Sequence, residues 1–156
     1  MHSSLRRETV AVGNQEVYMR EAIKIAKQNI SEGQFPFGCC IVTDENIAVS
    51  ASNTVISNID PTAHAEINAI RKLCNIVGKI TLENSVMFTT TEPCTMCMGA
   101  ISWARIPRLV YGVSLSKSLE FGFDEIRLNS REVAACLPYK IEIEEGFLLE
   151  ECMESP

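Results

Sequence analysis

Residues 61–71 read PTAHAEINAIR. Ile67, Ile70, Leu73 and Cys74 recur at helical spacing, Asp60 or Thr62 can cap the start, and Gly78 can end it. That pattern predicts a helix over 62–77 with His64 and Glu66 in its first turn. Working outward, the elements alternate in type. Upstream, FGCCIVT (37–43) and IAVSAS (47–52) read as strands joined at Asp44-Glu45-Asn46, a hairpin. Before them, Met19, Ile23, Ala26 and Ile30 mark a helix over 15–32 that stops at Gly33. Downstream, SVMFTTT (85–91) is a strand and 94–104 a short helix that ends before Pro107. RLVYGV (108–113) follows as a strand, 115–121 as a weaker helix, YKIEIEEG (139–146) as a fifth strand, and FLLEECME as a last helix. Strands alternating with helices predict a layered α/β domain whose later strands run parallel.

The chain is expected to be one domain over 1–156, with 1–14 loose. It is 46% hydrophobic and 22% charged, with a net charge of −6. Such a balance disfavours non-specific gripping of nucleic acid. No run approaches the roughly 20 apolar residues of a membrane span, and the first residues have no apolar stretch after their arginines. The 7 cysteines are Cys39, Cys40, Cys74, Cys94, Cys97, Cys136 and Cys152. Their odd number and irregular spacing are not those of a disulfide framework, so a cytoplasmic setting is expected, with Cys39, Cys40, Cys136 and Cys152 serving as small buried apolar residues.

The chemistry lies in two short motifs. His64 is one of 2 histidines in the chain, with Glu66 beside it, and 92-EPCTMC-97 places Cys94 and Cys97 on one face of a helix start. Helix N-termini favour thiolates. Two thiolates and an imidazole suit zinc, and three protein ligands leave the fourth position open for a water that the metal activates. Glu66 cannot easily ligate the same ion, but it can move that water's proton. A lone Cys-x-x-Cys is more often redox or chance, and a lone His-x-Glu carries little. A structural zinc would need a fourth ligand, for which Cys39, Cys40 or Cys74 could serve. A thioredoxin-like redox pair would leave His64 and Glu66 without a role.

Taken together, H-x-E and P-C-x-x-C form the signature of zinc deaminases. The chain resembles the cytidine and nucleobase deaminase superfamily from about 15 to about 126, most strongly at FPFGCCIV, Asn53, DPTAHAEINAIR, TEPCTMCMGAISWAR and LVYG. The resemblance implies a cytidine-deaminase-like three-layer α/β/α sandwich with a five-stranded mixed sheet. It implies one zinc per chain on His64, Cys94 and Cys97, and Glu66 as proton shuttle. The reaction implied is hydrolysis of an exocyclic amine to a carbonyl and ammonia.

DPTAHAEI and EPCxMCxGA are nearly those of bacterial tRNA adenosine deaminases. FPFG, ISWAR and FGFDE (121–125) look more like the guanine and guanosine deaminases. That branch implies a base pocket made by Phe37, Asn53, Ala65, Trp103 and an acid, Asp124 or Glu125. Guanine offers two donors on one edge to a carboxylate, whereas adenine would leave it unpaired. The bland alternatives are a core Trp103, a core-facing Phe37, and Asp124 and Glu125 as solvated surface or a cap. After Lys140 the chain has no Lys or Arg but six glutamates, which repel phosphate. Guanine or guanosine is therefore the first expectation and the tRNA wobble adenosine the second. Cytosine-type pyrimidines and triazine-like analogues come after them. A homodimer is expected from the family. An inactive zinc-binding partner subunit is the reading from another class; such subunits usually lack the shuttle glutamate, which is present here.

Overall fold

A computed structural model describes residues 14–154. The expectation of a loose start thus lies, Asn14 apart, outside the described residues. Helix α1 (Gln15–Ser31) leads into the hairpin of β1 (Gly38–Thr43) and β2 (Ala48–Ser52). After a single turn, α2 (Val55–Asn58), come α3 (Ala65–Val77), β3 (Ser85–Thr91), α4 (Thr95–Ala104) and β4 (Arg108–Val113). The chain continues through α5 (Leu115–Glu120), α6 (Ser130–Ala134), β5 (Glu142–Glu144) and α7 (Leu149–Met153). The sheet order is β2-β1-β3-β4-β5. β1 is antiparallel to both β2 and β3, whereas β3, β4 and β5 run parallel. The mixed five-stranded sheet and the parallel later half match the sequence reading.

Alternation along the strands builds two cores. Cys39, Ile41, Met87, Leu109 and Tyr111 face α3 and α4, where Ala65, Ala69, Leu73, Met98 and Ile101 meet them. Cys40, Val42, Val86, Phe88 and Val110 face the other way, onto Met19, Ala22 and Ile23 of α1 and Cys152 of α7. Because both faces are covered, the strands read as near-continuous apolar runs. The three layers expected from the sequence are present.

One inward position and several boundaries differ from the reading. Ile30 is 48% exposed; Asn29 takes the inward position instead, where its Nδ2 donates to the carbonyls of Phe35 (2.9 Å) and Asn53 (2.8 Å). Helix α3 starts at Ala65, because Asp60 closes its own turn by accepting from the Thr62 N–H and hydroxyl rather than capping the helix. α4 likewise starts one residue after Cys94. β5 has three residues rather than eight, because the Phe147 N–H takes the Tyr111 carbonyl after Val110 pairs with Glu144. The short α2 and α6 carry no apolar periodicity and were not expected. Cys39, Cys40 and Cys152 are buried as expected, but Cys136 is exposed. Among the described residues no helix is long and apolar enough to cross a membrane.

Candidate active site

Two helix N-termini converge at the carboxyl end of β3, the usual place for a site in an open α/β sheet. His64 is the residue before α3 and Cys94 the residue before α4; both have extended backbones, and neither side chain caps its own helix. Both are therefore free to point at a common centre. Cys97 joins them from one turn into α4. The His64 Nδ1 lies 3.6 Å from the sulfur of Cys94 and 3.6 Å from that of Cys97, and all three donor atoms lie within 4.8 Å of one another. A tetrahedral zinc at about 2.3 Å from sulfur and about 2.0–2.1 Å from nitrogen sets those ligands about 3.6 Å apart. The donor set fits zinc by chemistry and by spacing. Among the described residues Cys39, Cys40 and Cys74 are not part of this cluster, so the four-ligand structural alternative finds no support.

The titratable groups of the cluster shift one another strongly. Hydrogen bonds from the Cys97 thiol and from His64 pull the Cys94 thiol down to about 4. Cys97, donating to Cys94 and buried, is pushed up instead. The His64 imidazole is raised, first by its hydrogen bond to Cys94. Burial raises the Glu66 carboxyl, against a lowering hydrogen bond from Cys97. Glu66 is 6% exposed, and its Oε1 accepts a long hydrogen bond from the Thr89 hydroxyl at 3.4 Å.

Beside this centre opens a cavity of about 260 Å³. Phe37, Asn53, Ala65, Asp124 and Glu125 line it. Asn53 is 3% exposed and its Oδ1 accepts the Val55 N–H at 3.1 Å, which leaves its Nδ2 free to donate. Ala65 opens α3, so its N–H has no partner within the helix. The two acids separate clearly. Asp124 is well exposed and paired with Arg127 at 2.9 Å. Glu125 is half-buried, and burial together with the Cys94 and Glu66 charges raises it to about 7.

Trp103, expected in the base pocket, is not brought to this cavity within the single chain. It stands 87% exposed on the outer face of α4 and does not line the cavity, because the inward face of that helix belongs to Met98 and Ile101. The aromatic wall is made instead by Phe35 and by Phe123, which meets Phe37 edge-on at 5.0 Å. Phe123 lies within the FGFDE stretch that the sequence singled out only for its acids. Glu92 also lines the wall and was not anticipated.

Residues 12–113 match the cytidine and deoxycytidylate deaminase zinc-binding region. The chain belongs to this family of zinc-binding deaminases. Among curated relatives, the guanine deaminase of Bacillus subtilis is 40% identical over 113 residues, 72% of each chain. Its solved structure superimposes with a TM-score of 0.69 over 72% of both chains. The tRNA-specific adenosine deaminase of Haemophilus influenzae is 38% identical over 89% of this chain and 79% of its own. A probable cytosine deaminase of Schizosaccharomyces pombe is 37% identical over 87% of this chain and 86% of its own. The deaminase is accordingly a hydrolase of C–N bonds in nucleobases or nucleosides, with one zinc ion per chain suited to the cluster of His64, Cys94 and Cys97.

Proposed function

We propose that this deaminase converts guanine or guanosine to xanthine or xanthosine, releasing ammonia. The observation that carries the reading is Glu125, a half-buried acid in the cavity wall that pairs with no Lys or Arg among the described residues. Guanine's N1–H and 2-amino group form a paired donor edge for such a carboxylate. Asn53, held as a donor by Val55, suits an acceptor on the same base. Phe37 and Phe123 offer ring surfaces to the purine. The cavity's described lining has no Lys or Arg, and so suits a base or nucleoside rather than a phosphorylated one.

His64, Cys94 and Cys97 would hold a zinc ion, which would supply an activated water. Glu66, buried beside the cluster, would move the attacking water's first proton to the ring nitrogen and its second to the leaving amine as the carbonyl forms. The ring carbon gains oxygen and loses nitrogen, and no redox change occurs.

The tRNA wobble adenosine is the second reading. It is favoured by the Haemophilus relative, which matches a longer part of this chain than the guanine deaminase does. A homodimer fits both readings. Met96, Gly99, Ala100 and Trp103 share one outward face of α4 without a charged side chain, with Trp103 largely uncovered.

The test is ammonia release from zinc-loaded protein offered guanine, guanosine, adenine, adenosine, cytosine, cytidine and an anticodon-stem RNA separately. Turnover confined to guanine or guanosine is expected. Turnover of the RNA alone moves the assignment to the wobble adenosine, and turnover of cytosine alone moves it to the pyrimidine.

A further inference from the structure

Glu92 takes no part in the chemistry above, yet it is 6% exposed in the cavity wall, between β3 and Cys94. Its N–H donates to the Val113 carbonyl at 2.7 Å, tying the end of β3 to the end of β4. Its carboxylate reaches further. Oε1 accepts the Leu115 N–H at 2.7 Å, and Oε2 accepts both the Ser130 N–H at 2.7 Å and the Ser130 hydroxyl at 2.6 Å. Leu115 is the first residue of α5 and Ser130 the first of α6. Amides at those positions have no partner within their helices. One side chain therefore joins the starts of two short helices.

Between those helices runs residues 121–129, the stretch that carries Phe123, Asp124 and Glu125 and has no strand or helix of its own. The same carboxylate holds the chain before it, at Leu115 on the far side of α5, and directly after it, at Ser130. Every partner of the Glu92 carboxylate is a donor, and its oxygens already accept three hydrogen bonds, so it is not a free base of the kind Glu66 is.

We infer that Glu92 is a positioning residue, which clamps α5 to α6 and so holds Phe123 and Glu125 against the bound base. The inference rests on the reading of Phe123 and Glu125 as substrate contacts; the clamp is observable without it. Glu92→Gln tests it, because the amide NH2 would face a buried N–H donor and leave that donor unpaired.

The comparison uses zinc-loaded wild type, Glu92→Gln and Ser130→Ala. Three quantities are read: zinc per chain, hydrogen exchange of the Leu115, Phe123 and Ser130 amides, and KM and kcat on the substrate that wild type turns over. Glu92→Gln should keep one zinc per chain, and its exchange at those amides should rise by about tenfold or more. KM should rise by about tenfold while kcat stays within about threefold, the pattern of lost binding rather than lost chemistry. Ser130→Ala removes one of the three bonds and should move exchange and KM the same way by less; it decides the matter if Glu92→Gln does not fold. Unchanged exchange at these amides, loss of zinc, or a fall in kcat at constant KM would overturn the inference. Silence of wild type on every substrate would count against the proposed function alone, since exchange and zinc content still judge the clamp.

Discussion

At the scale of the residue, the site depends on carboxyl groups kept apart by their surroundings. Glu66 is buried beside the cysteines, with only a long bond from Thr89 to its carboxylate among the described side chains other than the cluster itself. Glu66→Ala should retain one zinc per chain by metal analysis and lose about 10²–10⁴-fold in kcat, the usual worth of a positioned proton carrier. Unchanged turnover would remove Glu66 from the reaction. Glu125 gives a pH prediction. Its carboxyl rises from 4.5 to about 7 on folding, chiefly through burial. Between those values the folded chain holds a proton that the unfolded chain has released, so this group lowers stability as pH rises through that window. Glu125→Gln cannot titrate. Its melting temperature should therefore gain on that of wild type as pH goes from 4.5 to about 7, in parallel thermal scans. A constant difference across the window would refute the assignment.

At the scale of the element, the decisive units are two helix starts and one strand. α3 and α4 each begin one residue after a metal-binding type of side chain, so the peptide dipoles of both helices point their positive ends at the sulfurs. Asn68 fastens α3 to the end of β2 by donating to the Ser52 carbonyl at 2.9 Å and the Thr54 hydroxyl at 2.9 Å, which sets Asn53 near His64. On the opposite face, α1 comes so close to β1 that a Cβ at Gly38 would run into the Ala22 carbonyl. Backbone yields less readily than a side-chain tip. Gly38→Ala should cost about 1–3 kcal/mol in urea unfolding of the zinc-loaded protein, the range for overpacking. A neutral result would mean that α1 can shift outward freely.

At the scale of the whole molecule, the acidic end is tied down rather than free. Glu151 pairs with Arg20 at 3.1 Å and Glu154 with Lys27 at 3.2 Å, both across to α1. These are exposed pairs worth little stability each, but they spend two of the cations that a phosphate backbone would need. With a net charge of −6 and no Lys or Arg in the cavity's described lining, weak dependence of turnover on salt is expected for a guanine substrate, and a steep one for an RNA. The open face of α4 makes an oligomer the expected state. Light scattering at micromolar concentration should give twice the 17.3 kDa chain mass, and a clean monomer would sink the homodimer.

The sequence by itself determined the alternation of strands and helices, the mixed sheet and the grouping of His64, Glu66, Cys94 and Cys97. Those features are written in local periodicity, turn residues and short spacings, which act within a few residues of one another. Tertiary structure alone decided what depends on distant partners. Trp103 had the same local signal on either face of α4, and only the position of the sheet turned it outward. Asp124 and Glu125 are neighbours of like chemistry, and only the Arg127 pair and the depth of the cavity separate them. β5 alternates cleanly over eight residues, but it pairs with β4 only over Glu142–Glu144, and the next β4 carbonyl, that of Tyr111, accepts the Phe147 N–H instead. Glu92 carries no motif for a clamp, because its partners lie 23 and 38 residues away. Periodicity reports which side chains want burial; which neighbour each one meets is set when the layers close.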